Sequence, residues 1–275
     1  MKFSITKKIL IIILIIILVG MTLFPVIWMV SSSLKVDKEI YTIPPTWIPE
    51  KFTLDHYSDL FSRFHFGRYL PNSAIIAIST TIISVMLGLL AAYGFSRYSF
   101  PGCGALLFVM LLVRLFTPAA FVVPLYDMMR WLGLVDTLFA IMIGVTIMNL
   151  PFVVWIMKVF FDDFPKELED AAKIDGMSSL RILASVILPL ATPAVATVAL
   201  FSFNVGWNDF LFSLSFSQTI KSMTATVGIA SMDTGYKVYW GAMMAGGAFL
   251  SMPIVIIAFV LQKYFVKGLT MGASR

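Results

Sequence analysis

The chain has 275 residues, 59% of them hydrophobic and only 13% charged, with a mean hydropathy of +0.92. A soluble domain carries about 25% charged residues, so most of this surface faces lipid or other apolar protein. The net charge of +5 reads as the positive-inside bias of a membrane protein and not as a nucleic-acid footprint, and the single cysteine, Cys103, excludes an intramolecular disulfide and a cysteine metal site.

Lys7 and Lys8 precede a charge-free apolar run that continues through Pro25 and Trp28 to Val30. A cleavable signal has an apolar core of about 7–15 residues and then a small-x-small site. The run is too long and has no such site, so 9–30 is expected as a retained first span. Further spans are expected over 71–95, 105–126, 137–157, 186–206 and 241–262. Each suffices to cross a bilayer core as a helix at about 1.5 Å per residue. None shows the alternation of a barrel strand. The fold class is therefore all-α transmembrane, as one membrane domain, with no internal repeat.

Between the first two spans, Pro44, Pro45 and Pro49 exclude a continuous helix, and Asp55–Phe61 reads as a short one. His56 and His65 in this segment lack a third ligand, so no metal site is expected. Arg114 is the one charge inside a span. It costs about 2.5–3.5 kcal/mol at mid-membrane, so it must face protein or a watery cavity. A structural pair with a carbonyl or acid and a place on a substrate pathway both remain open.

Asn149, Asn204, Trp207, Asn208 and Asp209 lie in or near the fourth and fifth spans. Amides and carboxylates hydrogen-bond polar solutes, and an indole can stack on a flat ligand face. They are candidates for a substrate pathway, with interhelical hydrogen bonding as the plainer alternative. Gly241, Ala245, Gly246 and Ala248 give small residues at near-helical spacing and point to close packing. The segment 213–240 reads as irregular structure with turns at Lys221-Ser222-Met223-Thr224 and Asp233-Thr234-Gly235.

The polar interruption from Phe160 to Pro189 separates two strongly apolar segments. Its centre, Glu169-Asp170-Ala171-Ala172-Lys173-Ile174-Asp175-Gly176, reads as helix–turn–helix. Ala171 and Ala172 allow close approach of another surface, and Gly176 permits the turn. Six spans place both termini on one side. The lysines flanking the first and last spans put that side in the cytoplasm, with the 160–185 loop, although the overall excess of basic residues there is small.

This loop resembles the E-A-A-x(3)-G-x(9)-I-x-L-P signature of bacterial ABC importer permeases, with Asp170 in place of Glu and Val186 in place of Ile. The neighbouring Glu169 is positioned to supply a salt bridge that the shorter Asp170 misses. The resemblance extends over Ala91–Arg97 with Phe100-Pro101-Gly102, Pro124-Leu125-Tyr126, Gly133–Thr137, Trp207-Asn208-Asp209 and Gln262–Ala273. It is nearest to the carbohydrate-uptake permeases that include the smaller maltose-transporter membrane subunit and the trehalose permeases. It implies a six-helix type I importer permease in a bacterial inner membrane, with a cytoplasmic coupling loop between the fourth and fifth spans. In that loop Glu169, Asp170, Ala171, Ala172, Asp175 and Gly176 would meet an ATPase.

The implied partners are a second homologous permease, two ATP-binding cassette subunits that hold ATP and Mg, an extracytoplasmic sugar-binding protein, and membrane lipid. The 213–240 segment would contact the binding protein through Met223, Thr224, Met232 and Tyr236. No G-x-x-x-x-G-K-[ST] loop is present, so the chain is expected to hold no cofactor and to leave ATP hydrolysis to its partners. An ABC permease for another small solute and a lone secondary carrier are the rival readings. The charge-free spans disfavour the carrier, which usually places acidic residues at the midplane.

Overall fold

A computed structural model describes residues 5–272. In chain order its helices are α1 (Ile5–Ser33), α2 (Asp37–Ile40), α3 (Asp55–Ser62), α4 (Phe66–Arg97), α5 (Cys103–Leu115), α6 (Pro118–Trp131) and α7 (Leu138–Asp162). They continue with α8 (Lys166–Ile174), α9 (Ser179–Ile182), a π-helical turn (Leu183–Ile187), α10 (Leu188–Trp207), α11 (Leu211–Phe216), α12 (Ala225–Ala230) and α13 (Trp240–Gly272). Among the described residues there is no strand, only two isolated bridges. Five helical segments are long and apolar enough to cross a membrane, and α5 with α6 adds a sixth if that bent pair is one span. The carboxy-terminal motif residues from Lys263 onward lie outside the side chains described, and both chain ends lie outside the described residues.

The chain divides into two compact units, residues 5–67 with 228–252, and residues 68–227 with 253–272. In the first unit, α3 occupies the stretch where the sequence places a short helix. Its His56 ring packs where a side chain on Gly241 would sit: a Cβ there would lie 2.1 Å from His56 Nε2. The same nitrogen meets Lys35 O at 2.8 Å, so this histidine is engaged in packing and hydrogen bonding. A Cβ on Gly246 would meet Ile229 at 2.8 Å, so the small residues of α13 do serve close packing. Phe61, Phe66 and Phe249 meet edge to face. The proline-rich segment is organised by Glu39, which accepts from Thr46 Oγ1 at 2.6 Å and Glu50 N at 3.0 Å. Those bonds, Thr46 first, hold its carboxyl below the usual range.

In the second unit α4, α7 and α10 build one core around Leu89, Val153, Val154, Met157, Ile187 and Val198. The third expected span, 105–126, is not one helix. α5 and α6 meet at a bend of 103°. Phe116 and Thr117 are extended, with ψ of 145° and 138°. The cause is Pro118, which disfavours helical backbone in the residue before it and is itself suited to start a helix. Pro189 has a milder effect on the fifth span. It has no N–H for the carbonyl four residues back, and the π-helical turn lies just before it.

Candidate functional site

The polar interruption folds as α8, a tight turn, and α9. Glu167 and Glu169 lie in the first turn of α8 and Lys173 in its last, each favourable to the helix dipole. α8 ends in a Schellman motif: Gly176 N donates to Lys173 O at 3.0 Å and Met177 N to Ala172 O at 3.1 Å. Gly176 takes φ +79°, a left-handed conformation that glycine adopts without a Cβ penalty.

The two faces of α8 do different things. Glu169 is 2% exposed and ion-pairs with Arg97 at the end of α4. Arg97 Nε donates to Glu169 Oε1 at 2.7 Å, and Tyr93 OH donates to Oε2 at 3.3 Å. Arg97 Nη1 also donates to Ser96 Oγ at 2.7 Å, and Ser96 in turn donates to Asp162 Oδ1 at 2.6 Å. Ala172 is buried in the same core as Met157 and Ile182. A chain of contacts thus ties the ends of α4 and α7 to α8. Glu169 and Ala172 consequently differ from the sequence expectation. They face inward, and Glu169 is not free to pair with another subunit, because Arg97 already occupies it.

The opposite face is apolar and bare. Leu168, Ala171 and Ile174, spaced three apart, form a stripe, and Leu180 of α9 is exposed as well. Ile174 is 88% exposed and Leu180 66%. Asp170 and Asp175 are exposed beside the stripe. Lys173 Nζ lies 2.8 Å from Asp170 Oδ1, which holds that carboxyl below its usual range. Ile174 and Leu180 are thus large aliphatic side chains held outward on a short element between two spans.

The candidate pathway residues separate into two groups. Asn149 is fully buried and donates from Nδ2 to Ser202 Oγ at 2.8 Å, the plainer interhelical bond. Trp207 is 5% exposed and stacks on Phe203 at 5.7 Å, so its ring is closed to a sugar. Asn204 receives Asn208 Nδ2 on its side-chain oxygen at 2.8 Å. Asn208 and Asp209, in contrast, line an open cavity of about 440 Å³ together with Arg114 and Thr117. Burial pushes the Asp209 carboxyl up, against the hydrogen bonds that it accepts from Ser213 and Phe212.

The 213–240 segment is anchored through Asp136, in the Gly133–Thr137 motif. Asp136 Oδ1 accepts from Gln218 N at 2.9 Å and Thr219 N at 3.0 Å, and Oδ2 from Thr219 Oγ1 at 2.7 Å. Ser222 Oγ donates to Oδ1 as well. Burial opposes ionisation, but these bonds together outweigh it and hold the carboxyl at about 2. Asn72 Nδ2 donates to Met223 O at 2.8 Å, and Ala225 N donates to Ser73 Oγ at 2.9 Å. Thr224 and Met232 are buried and Met223 is half-buried, so the contact role expected of them is corrected to a structural one. Tyr236 alone of the four is fully exposed. It sits on a reverse turn closed by Thr234 N to Lys237 O at 3.2 Å, with Gly235 at φ +76°.

Apolar helices long enough to cross a membrane, with a short polar helix–turn–helix between two of them, define a helical integral membrane protein. Residues 84–271 match the model of the binding-protein-dependent transport system inner membrane component, and the chain belongs to that family. It is similar to the trehalose/maltose transport system permease protein MalG of Thermococcus litoralis, at 36% identity over all of this chain and 99% of the relative. It is also similar to the trehalose transport system permease protein SugB of Mycobacterium tuberculosis, at 35% identity over 94% of each. A solved bacterial ABC transporter involved in import of the acidic polysaccharide alginate shares the fold, with a TM-score of 0.81, 23% identity, and coverage of 96% of this chain and 99% of that one. The chain is thus an inner-membrane permease subunit. The signals for Arg97 and Asp136 were present as motif residues, but their partners lie 72 and 83 positions or so away and no local spacing points to them.

Proposed function

We propose that this chain forms half of the translocation pathway of an ATP-driven carbohydrate importer, with a second homologous permease forming the other half. Two ATP-binding cassette subunits, which hold ATP and Mg, dock from the cytoplasm. One of them covers the Leu168–Ala171–Ile174 stripe. The carrying observation is that stripe, exposed on a helix whose other face is locked by the Arg97–Glu169 pair. The likeness to named trehalose and maltose permeases supports a sugar as cargo. ATP-driven closure of the cassettes moves α8, and α8 moves α4 and α7 because it is tied to both. The change is a rigid-body switch between two states.

An extracytoplasmic sugar-binding protein delivers the sugar, and the Tyr236 turn is the contact on this chain. The test is a reconstituted complex with its binding protein. Loaded binding protein should raise ATP hydrolysis, and the labelled carbohydrate ligand of that binding protein should accumulate only with ATP. Tyr236→Ala should cut both by about 10-fold, as expected of an aromatic anchor, while assembly and basal hydrolysis stay as they were. Accumulation without any cassette subunit would refute the importer reading.

The orientation has its own check. Taking the bent α5–α6 pair as the sixth span, and with lysines at the first and last span ends, we expect both termini and Ser178 in the cytoplasm and Thr46 and Thr234 outside. Single cysteines at 46 and 234, in a chain with Cys103 replaced, should react with an impermeant thiol reagent in intact cells. A cysteine at 178 should react only after the membrane is opened. Reaction at 178 in sealed cells inverts the topology.

A further inference from the structure

We infer that the cavity around Arg114 binds the anionic group of an acidic carbohydrate, a uronate carboxylate being the best fit. The inference rests on the carbohydrate reading above and adds the chemistry of the cargo. Arg114 lies in the last turn of α5, directly before the 103° break. Its Nη1 donates to Met148 O at 3.3 Å, and its guanidinium sits 5.1 Å from the Phe152 ring centre. Both contacts aim the group, and neither neutralises it. No carboxylate among the described residues lies within 4.0 Å of it. Asp209 lines the same cavity, but its Oδ2 is engaged by Ser213 N and Oγ, both at 2.8 Å.

A guanidinium has five N–H donors in a fixed fork, and Met148 takes one of them. An unneutralised cation inside an apolar segment is costly unless it faces water or a counter-charge. The cavity supplies the room. At about 440 Å³ it falls within the roughly 300–1,000 Å³ typical of small-molecule sites. Its wall combines apolar Val145, Val205 and Phe210 with Thr117 and with Asn208, whose Nδ2 is held by Asn204, leaving its side-chain oxygen, a mixture suited to the apolar faces and hydroxyl edges of a sugar. A planar carboxylate matches the guanidinium fork in two parallel hydrogen bonds, which lysine does not reproduce.

The site is read directly by Thr117→Cys in the assembled complex with Cys103→Ser, using alkylation by N-ethylmaleimide. Glucuronate should slow alkylation about 10-fold or more relative to glucose at equal concentration. Arg114→Met should erase that difference, and Arg114→Lys should keep part of it. Equal protection by glucose and glucuronate, protection that survives Arg114→Met, or a Thr117→Cys thiol that never reacts would each overturn the inference. Inorganic sulfate is the arm that separates the two readings. If sulfate protects as well as glucuronate and Arg114→Met abolishes both, the anion site stands and the carbohydrate reading fails.

Discussion

Arg97→Met should abolish most transport while the subunit still inserts. The substitution leaves Glu169 buried at 2% exposure with its cation removed, and only Tyr93 OH, at 3.3 Å, still donates to it. Taking one partner from a buried pair costs about 3–5 kcal/mol. The spans themselves do not depend on this pair. The loss falls on α8, a nine-residue helix that has little stability apart from its packing. α8 should therefore leave the ends of α4 and α7, and its amides should exchange faster than those of the spans. Uptake at matched membrane abundance should fall at least about 10-fold. The double variant Arg97→Met with Glu169→Met separates docking from charge. Replacing a buried pair by apolar residues of similar size is often neutral, so the double variant should regain much of the uptake. A double variant as inactive as Arg97→Met would mean that the charges act beyond holding α8 in place.

What the sequence makes legible follows the length scale of each signal. Charge-free runs of about twenty residues mark spanning helices because nothing shorter satisfies a bilayer. α1, α4, α7, α10 and α13 lie over such runs. Residue 117 was harder to read. Hydropathy is blind to a Thr-Pro step, and the break between α5 and α6 comes from backbone sterics at that one peptide. The turn at Gly176 is equally local and was readable from its glycine. The inward face of α8 was not. Glu169 and Asp170 are adjacent and chemically alike, and which one is buried depends on Arg97, far away in the chain. The same holds for Trp207. An indole next to Asn208 and Asp209 suggests a sugar platform, but Phe203, one helical turn back, already covers it. Met223 and Thr224 suit a flexible probe by composition, yet the anchoring of their segment by Asp136, Asn72 and Ser73 holds them against the helices.

Gly176 offers the sharpest test of the docking face, because its structural and coupling roles predict different rankings. At φ +79° any L side chain other than Asn or Asp is strained, by about 1–2 kcal/mol. No heavy atom lies within 4 Å of a Cβ built there, so the subunit alone has room for a side chain. A ring at this position would instead stand out from the exposed α8–α9 element, which also carries exposed Ile174 and Leu180 and which we propose meets the cassette subunit. Gly176→Asn, which tolerates the left-handed backbone, should transport nearly as well as the parent. Gly176→Ala should lose a few-fold through strain. Gly176→Phe should have strain comparable to alanine's and similar abundance, yet lose at least about 10-fold more uptake, together with cassette binding. If phenylalanine and alanine behave alike, only the turn matters and nothing packs over this face. If Gly176→Phe transports at the parental rate with its cassette partner bound, the α8–α9 element is not where the two subunits couple.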